Sequence, residues 1–99
     1  MLGMFKDKFG VYYNTSHSPI FDSYNPDGWI ELNNKFYIIE NKAVKSKIPQ
    51  AKDQLKKYIN LAIKNGKDKN NIIGIIGTGI SDESFEYNFY NYNLDKIEI

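Results

Sequence analysis

The chain contains no cysteine and no arginine, and His17 is its single histidine. Without cysteine, disulfides, thiolate metal sites and a cysteine nucleophile are excluded. The absence also fits a reducing, intracellular setting. A zinc centre or a Ser-His-Asp hydrolase would have only His17 to draw on, which argues against both. All thirteen basic residues are lysines. Lysine serves phosphate contacts, whereas bidentate reading of guanine relies on arginine, so any nucleic acid is expected to be held by its backbone phosphates. No apolar run approaches the length of a membrane span, and the N-terminus lacks the basic-then-apolar order of a signal peptide. A soluble intracellular protein with no membrane partner is expected. The glycine-bearing run Gly74-Ile75-Ile76-Gly77-Thr78-Gly79 has neither dinucleotide-loop spacing nor a P-loop lysine.

What is present suits one folded domain spanning residues 1–99. Ninety-nine residues support a single core, and 41% hydrophobic with 15% aromatic content exclude a disordered chain. The net charge of +1 predicts no partner by itself. Its distribution says more: residues 41–69 carry nine lysines against Asp53 and Asp68, a local net of +7. Such a surface suits phosphates, and it equally suits a solvated helix face.

The clearest element is a hairpin over 29–32 and 35–42, turning at Asn33-Asn34. Its second strand runs through four consecutive apolar residues, Phe36-Tyr37-Ile38-Ile39, into Glu40-Asn41-Lys42. An apolar run that ends in charges is the pattern of a buried strand opening into a cleft. Apolar residues at Ala51, Leu55, Tyr58, Ile59 and Ala62 predict a helix from Pro49 to Lys64, with Asn65-Gly66 as its stop. A buried strand follows at 71–77, its glycines marking close packing or a bend. A last strand is expected over Phe85–Leu94, with a bulge at Phe89-Tyr90 where the alternation changes phase. Before the hairpin, Phe5 to Tyr13 reads as a short helix or an edge strand, and Ile20-Phe21 as a further short strand. The fold class is α/β, with a mixed central sheet flanked by helices.

A two-residue turn at Asn33-Asn34 makes cross-strand partners sum to 67, which sets Asp27 opposite Glu40. Their side chains then share one face, about 5 Å apart. Lys42 lies on that face too, because strand side chains alternate with period two. Opposed like charges destabilise a sheet unless something cationic lies between them, and a divalent metal is the economical explanation.

Pro26-Asp27, then Ile38-Ile39-Glu40-Asn41-Lys42, then Gln54-Leu55-Lys56-Lys57-Tyr58 resemble the PD-(D/E)xK nuclease superfamily. The resemblance covers residues 24–79, and the Gln-x-x-x-Tyr helix is similar to the RecB-like and restriction-type branch. It implies a restriction-endonuclease-like core and a DNA nuclease that hydrolyses phosphodiesters with Mg²⁺ or Mn²⁺. Such an ion polarises the phosphate and lowers the pKa of its water. Asp27 and Glu40 are suitable oxygen ligands, with the backbone carbonyl of Asn41 as a third. Lys42 would orient the attacking water and stabilise developing negative charge. By the same resemblance Gln54 reaches towards Lys42 or the scissile strand, with Gln50 a competing candidate one turn earlier. Tyr58 reads equally well as core packing with its hydroxyl at the edge.

One departure stands out. Members of this superfamily usually carry a further acidic residue on a helix before the hairpin, and residues 1–30 contain no Glu. Only Asp7 and Asp22 are acidic before Asp27, and His17 is the sole candidate for an upstream histidine ligand. The expected partner is DNA. The short chain suits either a stand-alone nuclease that homodimerises or a domain fused to helicase- or methyltransferase-type modules. The alternative is a non-catalytic nucleic-acid-binding or scaffold domain that retains the nuclease fold.

Overall fold

The computed structural model describes residues 2–81 and 84–99. Its centre is a five-stranded mixed sheet in chain order: β1 (Gly28–Leu32), β2 (Lys35–Lys42), β3 (Ile72–Thr78), β4 (Glu86–Tyr90) and β5 (Lys96–Ile97). Helix α1 (Leu2–Phe9) covers one face and α2 (Ile48–Lys64) the other. All neighbouring strands are antiparallel except β2 and β3, which α2 joins as a parallel crossover.

The hairpin has the expected register, from Leu32↔Lys35 out to Gly28↔Ile39. The turn explains why: Asn33 and Asn34 sit at φ 50° and 68°. Two successive positive φ angles are what a tight turn matching the strand twist requires, and Asn accepts them best after Gly. Phe36 and Ile38 on β2 then face α2, packing with Ala51, Leu55, Tyr58, Ile59 and Ala62. Tyr37 and Ile39 face α1, packing with Phe5 and Tyr13. Both faces of β2 and β3 are therefore dry, which is why their sequences are continuous apolar runs rather than alternating ones. Fully burying each such large apolar side chain stabilises the fold by roughly 1.5–3 kcal/mol.

Helix α2 begins at Ile48, one residue before the expected start, with Pro49 in the first turn and Asn65 as its C-cap. Ile20-Phe21 is not a strand. Residues Pro19–Phe21 form a 3₁₀ turn, because Ser18 Oγ caps the Ile20 amide at 3.3 Å and Pro19 occupies the first position. Phe21 is buried there against Phe36 and Tyr58.

The C-terminal end also differs from expectation. β4 stops at Tyr90, and its described ladder with β3 is regular. The phase change arises because Phe89 packs on the α1 side while Tyr90 packs on the α2 side. Asn91 then ends the strand: its Oδ1 accepts from the amides of Asn93 and Asp95, forming an Asx-type turn that returns the chain as β5. Of the N-terminal alternatives, Leu2–Phe9 takes the helix, and beyond it Asn14 forms an isolated bridge to Trp29 on the outer edge of β1. Among the described residues no helix is long and apolar enough to cross a membrane.

Candidate functional site

The site lies at the end of the sheet remote from the Asn33-Asn34 turn. The β1–β2 ladder ends at Gly28↔Ile39, so Asp27 and Glu40 are the next opposed pair. They are tied reciprocally. The Asp27 amide donates to Glu40 Oε2 at 2.8 Å, and Asp27 Oδ2 accepts from the Asn41 amide at 2.8 Å. Each carboxylate thus keeps one oxygen outside these two bonds. Glu40 is 2% exposed, whereas Asp27 is open to solvent.

Burial is the largest influence on the Glu40 carboxyl and pushes it up to about 7. The Asp27 amide and the Lys42 ammonium oppose that rise, while the Asp27 carboxylate adds to it. Lys42 is half-buried on the same face, two residues along. Its carbonyl accepts from the Gly79 amide at 3.1 Å, which fixes the strand end against β3.

The Asn41 carbonyl points away from β3. In an extended strand the amide and carbonyl of one residue project to the same side, and the Asn41 amide bonds Asp27. The expected oxygen donors of Asp27, Glu40 and Asn41 therefore share one strand edge. This all-oxygen set suits a hard divalent cation, with water completing the coordination. Among the described residues there is no cluster of three or more His, Cys, Asp or Glu side chains. His17, Asp7 and Asp22 accordingly do not join Asp27 and Glu40. His17 Nε2 lies 2.6 Å from the Asp22 carbonyl. Lys64 and Asn65 hold the Asp22 carboxylate below the usual range.

Gln54 is half-buried on the sheet-facing side of α2, and its Oε1 is buried with no hydrogen-bond partner among the described residues. It is therefore not bonded to Lys42 through that oxygen. Gln50 is exposed. Tyr58, one turn beyond Gln54, takes the core-packing reading. Its ring is buried edge-on to Phe21, and its hydroxyl donates to the Asn25 carbonyl at 3.4 Å. Burial raises the phenol's pKa, and the charges of Glu40 and Asp27 raise it further.

Two participants escaped the sequence. Tyr13 lies beneath the hairpin end on the α1 face and accepts from Asn41 Nδ2 at 3.1 Å. Its ring needs Gly28: a Cβ there would stand 2.2 Å from Tyr13 Cδ1 and Cε1. The only hint was a glycine directly after Asp27. Thr78 pairs with Lys42 across the parallel ladder, is 2% exposed, and its Oγ1 has no partner among the described residues. Gly77, beside it, allows Asn41 and Phe85 to approach, since an added Cβ would meet Phe85 Cζ at 2.5 Å and Asn41 Oδ1 at 2.6 Å.

No protein-family model matches the chain, and no curated protein or solved structure gives a significant match.

Proposed function

We propose that the chain is a metal-dependent DNA nuclease domain of the PD-(D/E)xK type with a restriction-endonuclease-like core. The observation that carries this reading is the reciprocal tie between Asp27 and Glu40, with Lys42 on the same face at the end of β2. Two carboxylates held together, one of them buried, are unfavourable unless a cation or a proton is shared between them. A bound Mg²⁺ or Mn²⁺ would neutralise phosphate charge and supply a nucleophilic water near neutral pH.

The protein's own groups have separable tasks. Asp27, Glu40 and the Asn41 carbonyl offer oxygens along one edge. The Lys42 ammonium orients the attacking water and meets the negative charge that develops on the phosphate. Gln54, with a buried acceptor left unpaired, is placed on the helix that roofs this face and would pair with Lys42 or the scissile strand. The lysines of α2 suit backbone phosphates, which agrees with the absence of arginine.

Incubation of plasmid and single-stranded DNA with Mn²⁺ tests the proposal. Wild type should cut, while Asp27→Ala and Lys42→Ala should bind DNA without cutting it. A second reading, a non-catalytic nucleic-acid-binding scaffold, is favoured by the lack of a third acidic side chain among the described residues. Tight DNA binding by wild type, with no cleavage in any divalent metal, would establish it.

A further inference from the structure

Away from the carboxylate pair, a groove of about 360 Å³ runs between the outer side of α2 and the loop after β4. Lys56 and Asn60 line one wall, and Lys69, Tyr92 and Asn93 the other, over an apolar floor that includes Ile63. Among the described residues no acidic side chain lines it. The larger groove near the hairpin turn, of about 420 Å³, is different: Glu31 and Asp68 stand in its wall beside Lys67.

Charge bookkeeping separates these surfaces. Lys45, Lys64 and Lys67 are each paired with a carboxylate, at 3.2, 2.9 and 3.0 Å. Among the described residues Lys52, Lys56, Lys57 and Lys69 have no such partner. Aromatic rings hold three of them instead: Lys52 over Tyr90 at 5.0 Å, Lys57 over Tyr24 at 4.0 Å and Lys69 over Tyr92 at 5.2 Å. A ring face orients an ammonium without neutralising it, so the charge remains available to an anion.

Of the acidic residues near in sequence, Asp53 is exposed three residues before Lys56 on α2 and forms no ion pair with it among the described residues, while Asp68 and Asp95 are turned to other tasks. Asp68 Oδ1 caps the Asn70 amide at 2.9 Å, and the Asp95 amide and carboxylate are both engaged by Asn91. The loop that carries Asn93 is fixed by Asn91 and by the Leu94 amide bonding the Asn91 carbonyl at 2.9 Å. The wall is therefore preformed. Two uncompensated ammonium groups, two carboxamides and a phenol hydroxyl converge on one groove, a donor set suited to phosphate oxygens.

We infer that this groove is a phosphate-binding site that holds the backbone of a nucleic-acid strand away from the cleavage centre. The identity of the polymer rests on the nuclease reading; the phosphate chemistry does not. With Lys52 beside it on the same side of α2, the site gives the strand a lysine track along the helix.

The test compares Lys56→Gln/Lys69→Gln with wild type in fluorescence anisotropy with a short labelled DNA duplex in EDTA. Lys6→Gln/Lys8→Gln, on the opposite face of the sheet, removes the same charge as a control. Salt is varied from about 50 to about 200 mM, over which each phosphate contact steepens the linear fall of log affinity with log salt. The groove variant should bind at least about tenfold more weakly at low salt, and its slope of log affinity against log salt should fall by about 2, for two lost phosphate contacts. The control should change neither. Equal losses in both variants, or none in either, overturn the inference. Inorganic pyrophosphate separates the sources of phosphate: if it binds the wild-type groove while the substitutions leave DNA affinity unchanged, the polynucleotide assignment is wrong. Cleavage in Mn²⁺ by both proteins with identical DNA affinity would sink the groove and spare the nuclease. Loss of binding in the groove variant, with no cleavage by wild type, would do the reverse.

Discussion

Asp27 and Glu40 hold each other through the backbone: the Asp27 amide donates to Glu40 Oε2, and Asp27 Oδ2 receives the amide of Asn41, the residue after Glu40. The arrangement fixes both carboxylates at the sheet end without cancelling either charge. Their mutual repulsion and the burial of Glu40 set the site's response to protons and cations.

The first prediction concerns pH. Glu40 is raised from 4.5 to about 7 by burial, with the Asp27 charge adding to the rise. For an acid whose folded value is the higher, the folded state binds more protons between the two values. Its contribution is thus fully present below about 4.5 and is lost as pH rises through about 7. At about 1.4 kcal/mol for each pKa unit, the loss is about 3 kcal/mol. Urea titrations should show wild type losing stability from pH 4.5 to 8 relative to Glu40→Gln. Mn²⁺ should restore it more at pH 8 than at pH 5, because the cation needs the carboxylate. A pH profile identical in both proteins would contradict the assignment.

Gly28 is the second test. Its missing Cβ leaves room for the Tyr13 ring, which in turn bonds Asn41. Gly28→Ala should cost about 1–3 kcal/mol by overpacking and should slow cleavage by displacing the strand end. Tyr13→Phe keeps the ring and removes only the hydroxyl, so its effect on stability should be smaller, about 1 kcal/mol. Thermal melts of both variants decide the order.

How much of this could be read from the chain depends on where the determinants lie. The hairpin register was legible because Asn33-Asn34 and period-two alternation are local. The stripe of α2 was legible because Ala51, Leu55, Tyr58, Ile59 and Ala62 repeat at helical spacing. The shared position of Asp27, Glu40 and Lys42 followed from the turn and the alternation, while their roles rested on the resemblance. The wall before the hairpin was not legible. It is held by Trp29 Nε1 donating to the Ser16 carbonyl at 2.7 Å, by the Asn14–Trp29 bridge and by the packing of Phe21. None of these leaves a periodic trace. The C-terminal strand misled because two-sided burial at Phe89 and Tyr90 resembles a bulge, and the Asn91 turn is a side-chain effect.

Thr78 gives a third prediction. Its hydroxyl is buried beside Lys42 with no hydrogen-bond partner among the described residues, a cost the fold carries. Thr78→Val removes that cost and should stabilise the protein by about 1 kcal/mol, raising Tm by about 4–8 °C for a domain of this size. If the hydroxyl serves the site, the same variant cuts DNA more slowly. A destabilised Thr78→Val would show that the hydroxyl is satisfied in solution.

Lys42 supplies a fourth. Its ammonium is expected to act on the reacting phosphate, so Lys42→Ala should lower cleavage by about 10²–10³-fold while DNA affinity changes little. Single-turnover rates at saturating protein separate the two effects. A parallel fall in affinity would make Lys42 a docking residue.

The most direct test of the cation site is calorimetric titration of Mn²⁺ into wild type, Asp27→Asn, Glu40→Gln and Lys42→Ala at pH 8. Saturable binding by wild type and Lys42→Ala, abolished in both carboxylate variants, is the expected result. Equal binding in all four proteins, or none in wild type, would contradict a cation held between Asp27 and Glu40.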